Sequence, residues 1–306
     1  EQMLSDPEID IVLDLCPPQA HYEINRQALE AGKHVYSEKP LAAQAAQGAE
    51  LVRLAREKGV RLGCAPDVPL GAMIQTARHL VDAGAVGRVV GATANLFKQG
   101  VETWHPNPNF LYQPGAGPLM DMGPYYLTAL LHIVGPFASV SAMDAISFPT
   151  RRITSQPHYG ELIQVRVPTY VNALLRFETG ALATFTATFD VWKSRQPCLE
   201  IYGETGSIVL SDPNCFGGRV MLARPGEDYR EVPLTFPYAQ NSRGLGLWDL
   251  AASLADGTVP RTDARYARHI LETMEAIAAG GADGERKRLS PACGRPRPMP
   301  GEPIQN

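Results

Sequence analysis

Apolar positions along the first part of the chain alternate between two periods. Residues 9–15, IDIVLDL, form a largely apolar run of the length of a buried parallel strand. Cys16-Pro17-Pro18 stops it. Residues 21–31 then repeat with a helical period and end at Gly32, a natural C-cap. Residues 34–36 read as a short strand, 44–58 as a second helix ending at Gly59, and 60–64 as another strand. This alternation predicts βαβ units and a parallel sheet. A short helical remnant precedes it, closed by Asp6-Pro7-Glu8.

Beyond Pro66 the pattern changes. Residues 69–83 read as a helix with Pro near its start, 88–97 as a half-buried strand, and 98–117 as a loop rich in Pro, Asn and Gly. A helix follows over 119–134. Residues 138–234 are strand-rich, most plainly in 181–190, where Leu182, Thr184, Thr186 and Thr188 share one face and Ala183, Phe185, Ala187 and Phe189 the other. Two helices, near 245–255 and 264–279, close the ordered part. His269, on the second, reads as a packing or capping residue. The last stretch, 285–306, is rich in Pro, Arg and Gly and reads as a poorly ordered tail.

The fold class expected from this order is α/β plus α+β: a partial Rossmann-like parallel sheet over 1–66, then an α+β domain over 67–284 with a large, mainly antiparallel open sheet. A doubly wound nucleotide-binding domain opens with a strand, a Gly-rich turn and a helix. No GxGxxG stands before Ile9 or elsewhere in the chain, so the first domain reads as one entered partway through.

Composition narrows the function. At 306 residues, 44% hydrophobic and 20% charged, the chain has ordinary globular content and room for two domains. A net charge of -4 with no basic block argues against nucleic acid. Apolar runs are too short to span a bilayer and no signal peptide is visible, so the expected location is cytoplasmic. The five cysteines, Cys16, Cys64, Cys198, Cys215 and Cys293, form no CxxC pair and suit a reducing compartment. Cys16 and Cys64, at strand ends, read as small buried hydrophobes. No metal-ligand spacing and no G-x-S-x-G elbow occur, so no metal is expected.

Candidate chemistry sits where strands end. Glu38-Lys39-Pro40 follows a strand, and ligands of open α/β sheets bind outside the carboxyl ends of strands. Lys39 there can hold a substrate hydroxyl or a ribose, although a surface lysine beside a turn proline is the simpler reading of the tripeptide alone. Cys16-Pro17-Pro18 with His21 forms a rigid loop that can pack on a flat ring, or a plain turn before a helix. Asp121 and Tyr125 are four apart and share a helical face; together they can bind a hydroxylated substrate and exchange its proton, or serve as a helix-start carboxylate and a core aromatic. Trp104 and His105, with Lys98, can line a sugar cleft or simply anchor their loop.

Together these pieces resemble the glucose-fructose oxidoreductase, inositol dehydrogenase and rhizopine-catabolism (Gfo/Idh/MocA) family. The resemblance rests on IDIVLDLCPPQAHYEINRQALEAGKHVYSEKPLA, GCAPDVPLGAMIQTARHLVDAGAVGRVVGA, PGAGPLMDMGPYYLTALLHIVGP, GALATFTATFDVW, LEIYGETGSIVLSDPNCFGG and NSRGLGLWDLAASLADG, in that order. It implies a Rossmann domain for NAD or NADP, and an open sheet that serves a sugar or polyol substrate and homo-oligomer contacts. The EKP lysine, here Lys39, would contact substrate and cofactor. Where many relatives carry an acid/base His the chain has Tyr125, and where many carry a further Asp it has Thr128. The implied reaction is hydride transfer between nicotinamide and a secondary alcohol or its ketone. Tyr125 would move the proton, its pKa lowered by the Lys39 ammonium; Asp121 would hold a substrate hydroxyl; Pro17 and Glu38 would flank the nicotinamide and its ribose. Relatives that act as NAD-using glycosidases offer a second activity, and a non-catalytic binding role a third.

Overall fold

The first three strands pair in parallel, in the order β1-β2-β3. In the computed structural model, which describes residues 2–291 and 294–302, a one-turn helix α1 (Gln2–Ser5) leads to β1 (Ile11–Asp14), α2 (Pro18–Glu30), β2 (His34–Ser37), α3 (Ala45–Lys58) and β3 (Leu62–Cys64). Val12 pairs with Val35 and Val35 with Leu62. Pro18 opens α2, a position where its missing N–H costs nothing. Gly59 closes α3 in the left-handed region at φ 68°.

The expected helix over 69–83 is shorter than its periodicity suggests. Val68–Leu70 form a single 3₁₀ turn, and α4 (Ala72–Asp82) begins only after Gly71. Gly71 is extended and lies so close to Phe216 that a Cβ would stand 2.6 Å from that residue's carbonyl oxygen. A tertiary contact therefore breaks the helix there.

The remaining described strands form one large sheet and a separate two-stranded hairpin. They are β4 (Val89–Phe97), then, after α5 (Gly117–Ile133), β5 (Phe137–Ala145), a small hairpin of β6 (Thr150–Arg152) and β7 (Leu162–Gln164), β8 (Tyr170–Phe177), β9 (Leu182–Thr188), β10 (Leu199–Gly203), β11 (Gly206–Leu210), β12 (Val220–Ala223) and β13 (Arg230–Val232). Helices α6 (Leu245–Ala255) and α7 (Ala264–Asp283) precede β14 (Lys287–Arg288). The nine-stranded order is β13-β12-β11-β10-β4-β9-β8-β5-β14. All pairings are antiparallel except β4 with β9, which run parallel from Gly91–Leu182 to Phe97–Thr188.

Helices α5 and α7 pack on one face of this sheet. Fully buried Tyr126, Leu127, Leu130 and Leu131 of α5 join Phe185 of β9 in the main core. His269 of α7 is buried as expected of a packing residue: it stacks on Phe137 and accepts that residue's N–H at 3.0 Å. The other face is open. Along β8, buried Val171, Ala173, Leu175 and Phe177 alternate with exposed Asn172, Leu174 and Arg176. Leu174, Met143 and Leu182 are 63%, 78% and 53% exposed on it.

Helix α7 also returns to the first sheet. It packs on α3, and the Cys64 N–H reaches the Thr262 carbonyl at 2.8 Å just before α7 begins. The tail departs from expectation, because its described part is anchored. β14 pairs with β5, Arg295 reaches the His132 carbonyl, and the Met299 N–H donates to Gln75 at 2.9 Å with its side chain buried. These contacts lie far away in sequence, so composition alone does not show them. Cys293 and Asn306 lie outside the described residues. Among the described residues, no helix is long and apolar enough to cross a membrane.

Candidate functional site

Two loops leave the carboxyl ends of β1 and β2 side by side, and His21 ties them together. One ring nitrogen lies 2.7 Å from the Cys16 carbonyl and the other 2.6 Å from the Pro40 carbonyl. Both partners are acceptors, so the two contacts are simultaneously hydrogen bonds only when both ring nitrogens carry hydrogen. The ring is fully buried. Asn25, on the same helix, donates to the Ser37 hydroxyl at 3.0 Å, and Ser37 to the Glu38 carbonyl at 3.0 Å. The Glu38 carboxylate folds back onto the Lys39 N–H at 2.8 Å. The backbone around Lys39 is thus held from both sides.

That scaffold aims Lys39 at α5. Its Nζ donates to the Asp121 carbonyl at 2.5 Å and to the Asp121 carboxylate at 3.0 Å. Pro124 lies inside α5 and has no N–H to give to the preceding turn; the ammonium supplies a donor to a carbonyl of that turn. Lys39 Nζ also stands 5.3 Å from the centre of the Tyr125 ring. Lys39, Asp121 and Tyr125 therefore lie together.

The expected effect of Lys39 on Tyr125 is corrected here. Burial pushes the Tyr125 phenol above its ordinary range, and this outweighs the lowering influence of Lys39 and then Arg243. Glu38 and Asp121 add to the upward push. Desolvation favours the neutral phenol more than one carboxylate-paired ammonium favours the phenolate.

Cys16 is exposed, not buried as its place at a strand end suggests, because the Cys16-Pro17-Pro18 loop turns outward from the sheet. Cys64 is buried as expected, and burial raises its thiol pKa.

Arg243 was not signalled by the sequence reading. Its guanidinium lies 5.4 Å from the Tyr125 ring centre and 5.7 Å from that of Phe216. It donates to Asn214 at 2.8 Å and faces the buried Asp67 carboxylate at 3.6 Å. The available signal was its place before Gly-Leu-Gly at a helix start, in a stretch otherwise noticed only for its family likeness.

Lys98 joins this neighbourhood indirectly. It pairs with Asp212 at 3.1 Å, and the other Asp212 oxygen accepts from the Tyr126 phenol at 3.2 Å and the Asn214 N–H at 3.0 Å. Trp104 and His105 belong to a different cluster. Their rings meet edge to face at 5.4 Å, His105 meets Phe110 at 5.5 Å, and Trp104 is 67% exposed. Their loop is fixed by a buried network in which Arg151 pairs with Glu102 and Asp190, and the Tyr112 phenol donates to Glu102. A cavity of about 670 Å³ lies elsewhere, between α3 and the start of α7, and is lined by Arg53, Arg56, Arg61 and Arg268.

The residues at the ends of β1 and β2 fit a flat dinucleotide head. The two exposed prolines give a rigid apolar shelf, and beside them one oxygen of the buried Asp14 carboxylate lacks a partner.

Comparison with known proteins agrees with this geometry. Residues 1–65 match the oxidoreductase family's NAD-binding Rossmann fold, and residues 74–209 match the GFO/IDH/MocA C-terminal domain. The chain belongs to the GFO/IDH/MocA oxidoreductase family. It is 25% identical to a levoglucosan dehydrogenase of Pseudarthrobacter phenanthrenivorans, over 92% of this chain and 74% of that protein. It is 29% identical to the scyllo-inositol 2-dehydrogenase (NADP(+)) of Bacillus subtilis, over 92% and 73%. Among solved structures, levoglucosan dehydrogenase in complex with NADH superposes with a TM-score of 0.81, covering 94% of this chain and 82% of that one at 22% identity.

Proposed function

We propose that this chain carries the reacting side of an NAD- or NADP-dependent dehydrogenase that oxidises a secondary hydroxyl of a sugar, cyclitol or related polyol, or reduces the matching ketone. One observation carries the reading: Lys39, Asp121 and Tyr125 converge at the carboxyl end of the parallel sheet. Cys16, Pro17, Pro18, His21, Glu38 and Lys39 form the surface for the nicotinamide end of the cofactor. A bound nicotinamide supplies or accepts the hydride.

The chain's own groups do the rest. Lys39 donates to the reacting substrate oxygen, and Asp121 accepts from a neighbouring hydroxyl. Tyr125 is the proton carrier. Its raised pKa keeps it protonated at neutral pH, which suits the reducing direction: the phenol O–H bond breaks and its proton joins the substrate oxygen as the carbonyl carbon gains hydride. In the oxidising direction the phenol first loses its proton, then takes the substrate's. Lys98 and the exposed ring of Trp104, with His105, form the outer substrate wall. The open sheet face, with Leu174, Met143 and Leu182, is a homo-oligomer surface, and the location is cytoplasmic.

Titration with NADH and with NADPH, read by nicotinamide fluorescence, tests the cofactor, and turnover on a panel of sugars and cyclitols tests the reaction. Binding and turnover that vanish in Lys39→Met and Tyr125→Phe support the proposal. No binding of either cofactor, or full turnover in both variants, overturns it.

A further inference from the structure

We infer that Arg243 is a positioning residue of this site, a second cation that holds the Tyr125 phenol beside Lys39 and balances the charge formed when that phenol gives up its proton. The inference rests on the role proposed for Tyr125, but its first test needs neither cofactor nor substrate.

The placement of Arg243 is built, not incidental. Gly244, immediately after it, stands at φ 100°, in the left-handed region that favours glycine. The Asp67 carboxylate, 4% exposed, accepts the Gly244 N–H at 2.9 Å and the Gly246 N–H at 3.3 Å, while its other oxygen faces the guanidinium. Gly246 lies so close to Tyr36 that a Cβ there would stand 2.0 Å from the phenol oxygen. Tyr36 belongs to β2, the strand that leads into Lys39. The loop holding Arg243 is therefore docked on the strand just before the other cation.

A second anchor comes from the large sheet. Arg243 donates to Asn214, Asn214 donates to Asp212, and Asp212 pairs with Lys98 at the end of β4. The guanidinium is 43% exposed, yet it is fixed by Asn214, Asp67 and the Phe216 ring. Fixing a long side chain costs conformational freedom, which its ion pair with the buried Asp67 carboxylate offsets. The arrangement also places positive charge beside Tyr125. Lys39 shares its charge with Asp121, and the Glu38 charge also disfavours the phenolate. One cation against two carboxylates gives a poor setting for a phenolate; Arg243 restores the balance, although Asp67 takes part of its charge.

The test uses protein carrying tyrosine labelled with carbon-13 at Cζ, with Tyr125→Phe assigning the resonance. Alkaline titration should show the Tyr125 midpoint moving upward in Arg243→Gln and back toward wild type in Arg243→Lys, with melting temperatures nearly unchanged. Asn214→Ala, which frees the guanidinium without deleting it, should move the midpoint the same way by less. An unmoved midpoint in Arg243→Gln, or in Asn214→Ala should the former fail to fold, overturns the inference. In turnover, Arg243→Gln should lower kcat about tenfold, as loss of orientation does, with KM for the cofactor unchanged and Arg243→Lys rescuing. An unchanged kcat also overturns it. Failure of the wild type to bind NADH instead sinks the dehydrogenase reading and leaves the midpoint result standing.

Discussion

The ammonium of Lys39 holds two Asp121 oxygens at once, the main-chain carbonyl at 2.5 Å and one carboxylate oxygen at 3.0 Å. The pair is partly exposed, with side chains 16% and 30% accessible, so its worth to stability is small, about 1 kcal/mol at most. Lys39→Met should therefore melt within a few degrees of wild type (about 4–8 °C per kcal/mol is an upper guide from smaller domains) while turnover is lost. A collapse of the fold in circular dichroism would show that the pair is structural instead.

Tyr125 sets the pH dependence. Its phenol is raised above an ordinary pKa of about 10 by burial. The protonated form, which donates in the reducing direction, therefore persists through pH 7 to about 10, and ketone reduction should stay flat there and fall at higher pH. Alcohol oxidation, which needs the phenolate, should rise over the same interval. Tyr125→Phe should lose about 10²-fold or more in both directions. Rate profiles measured both ways check the sign.

Buried histidines contribute to the acid limit. Burial, and then the guanidiniums of Arg78, Arg295 and Arg261, hold the His132 pKa well below its ordinary value, and burial lowers His269 too. Below about pH 6.5 the unfolded chain takes up protons that the folded one refuses. Stability then falls as pH drops, by about 1.4 kcal/mol per unit for each fully resisting histidine. Denaturant melts between pH 7 and about 5 should show this slope, and His132→Gln should flatten it.

Met299 should matter despite its place near the chain's end. Its side chain is 3% exposed and packs with Val68, Leu70, Phe216 and Leu245. Met299→Ala should cost about 2 kcal/mol, at the low end for a buried methionine. A melting temperature equal to wild type would mean that the tail does not hold this position in solution.

On the open sheet face, Leu174 faces Ser141 of β5 and Thr184 of β9 across the ladder. Leu174→Lys should reduce the sedimentation mass to that of one chain if this face joins two copies. An unchanged mass would place the contact elsewhere.

What the sequence disclosed follows the range of the forces involved. The βαβ order was legible because Pro18, Gly32 and Gly59 act locally, and Lys39, Asp121 and Tyr125 were legible because each sits in a short motif at an element end. The start of α4 was not, since Gly71 is held out of the helix by Phe216, far along the chain. Burial of Tyr125 is a property of the packed molecule, so the direction of its pKa could not be read from Lys39 alone. Arg243 comes to the site from far along the chain, with only its place before a helix start to mark it, and the Met299 N–H is held by Gln75, which composition does not reveal.

The parallel pairing within the large sheet, β4 with β9, sends both strands out of the sheet at the same end. Just beyond, Gln99 and Asp190 form a bridge and the Val191 N–H reaches the Lys98 carbonyl. Past that stitch, residues can be added to either following segment without shifting a ladder. Reacting groups thus ride on a fixed chassis, while novelty is confined to an adjustable rim, and that division is how one framework can be retuned from one polyol to the next.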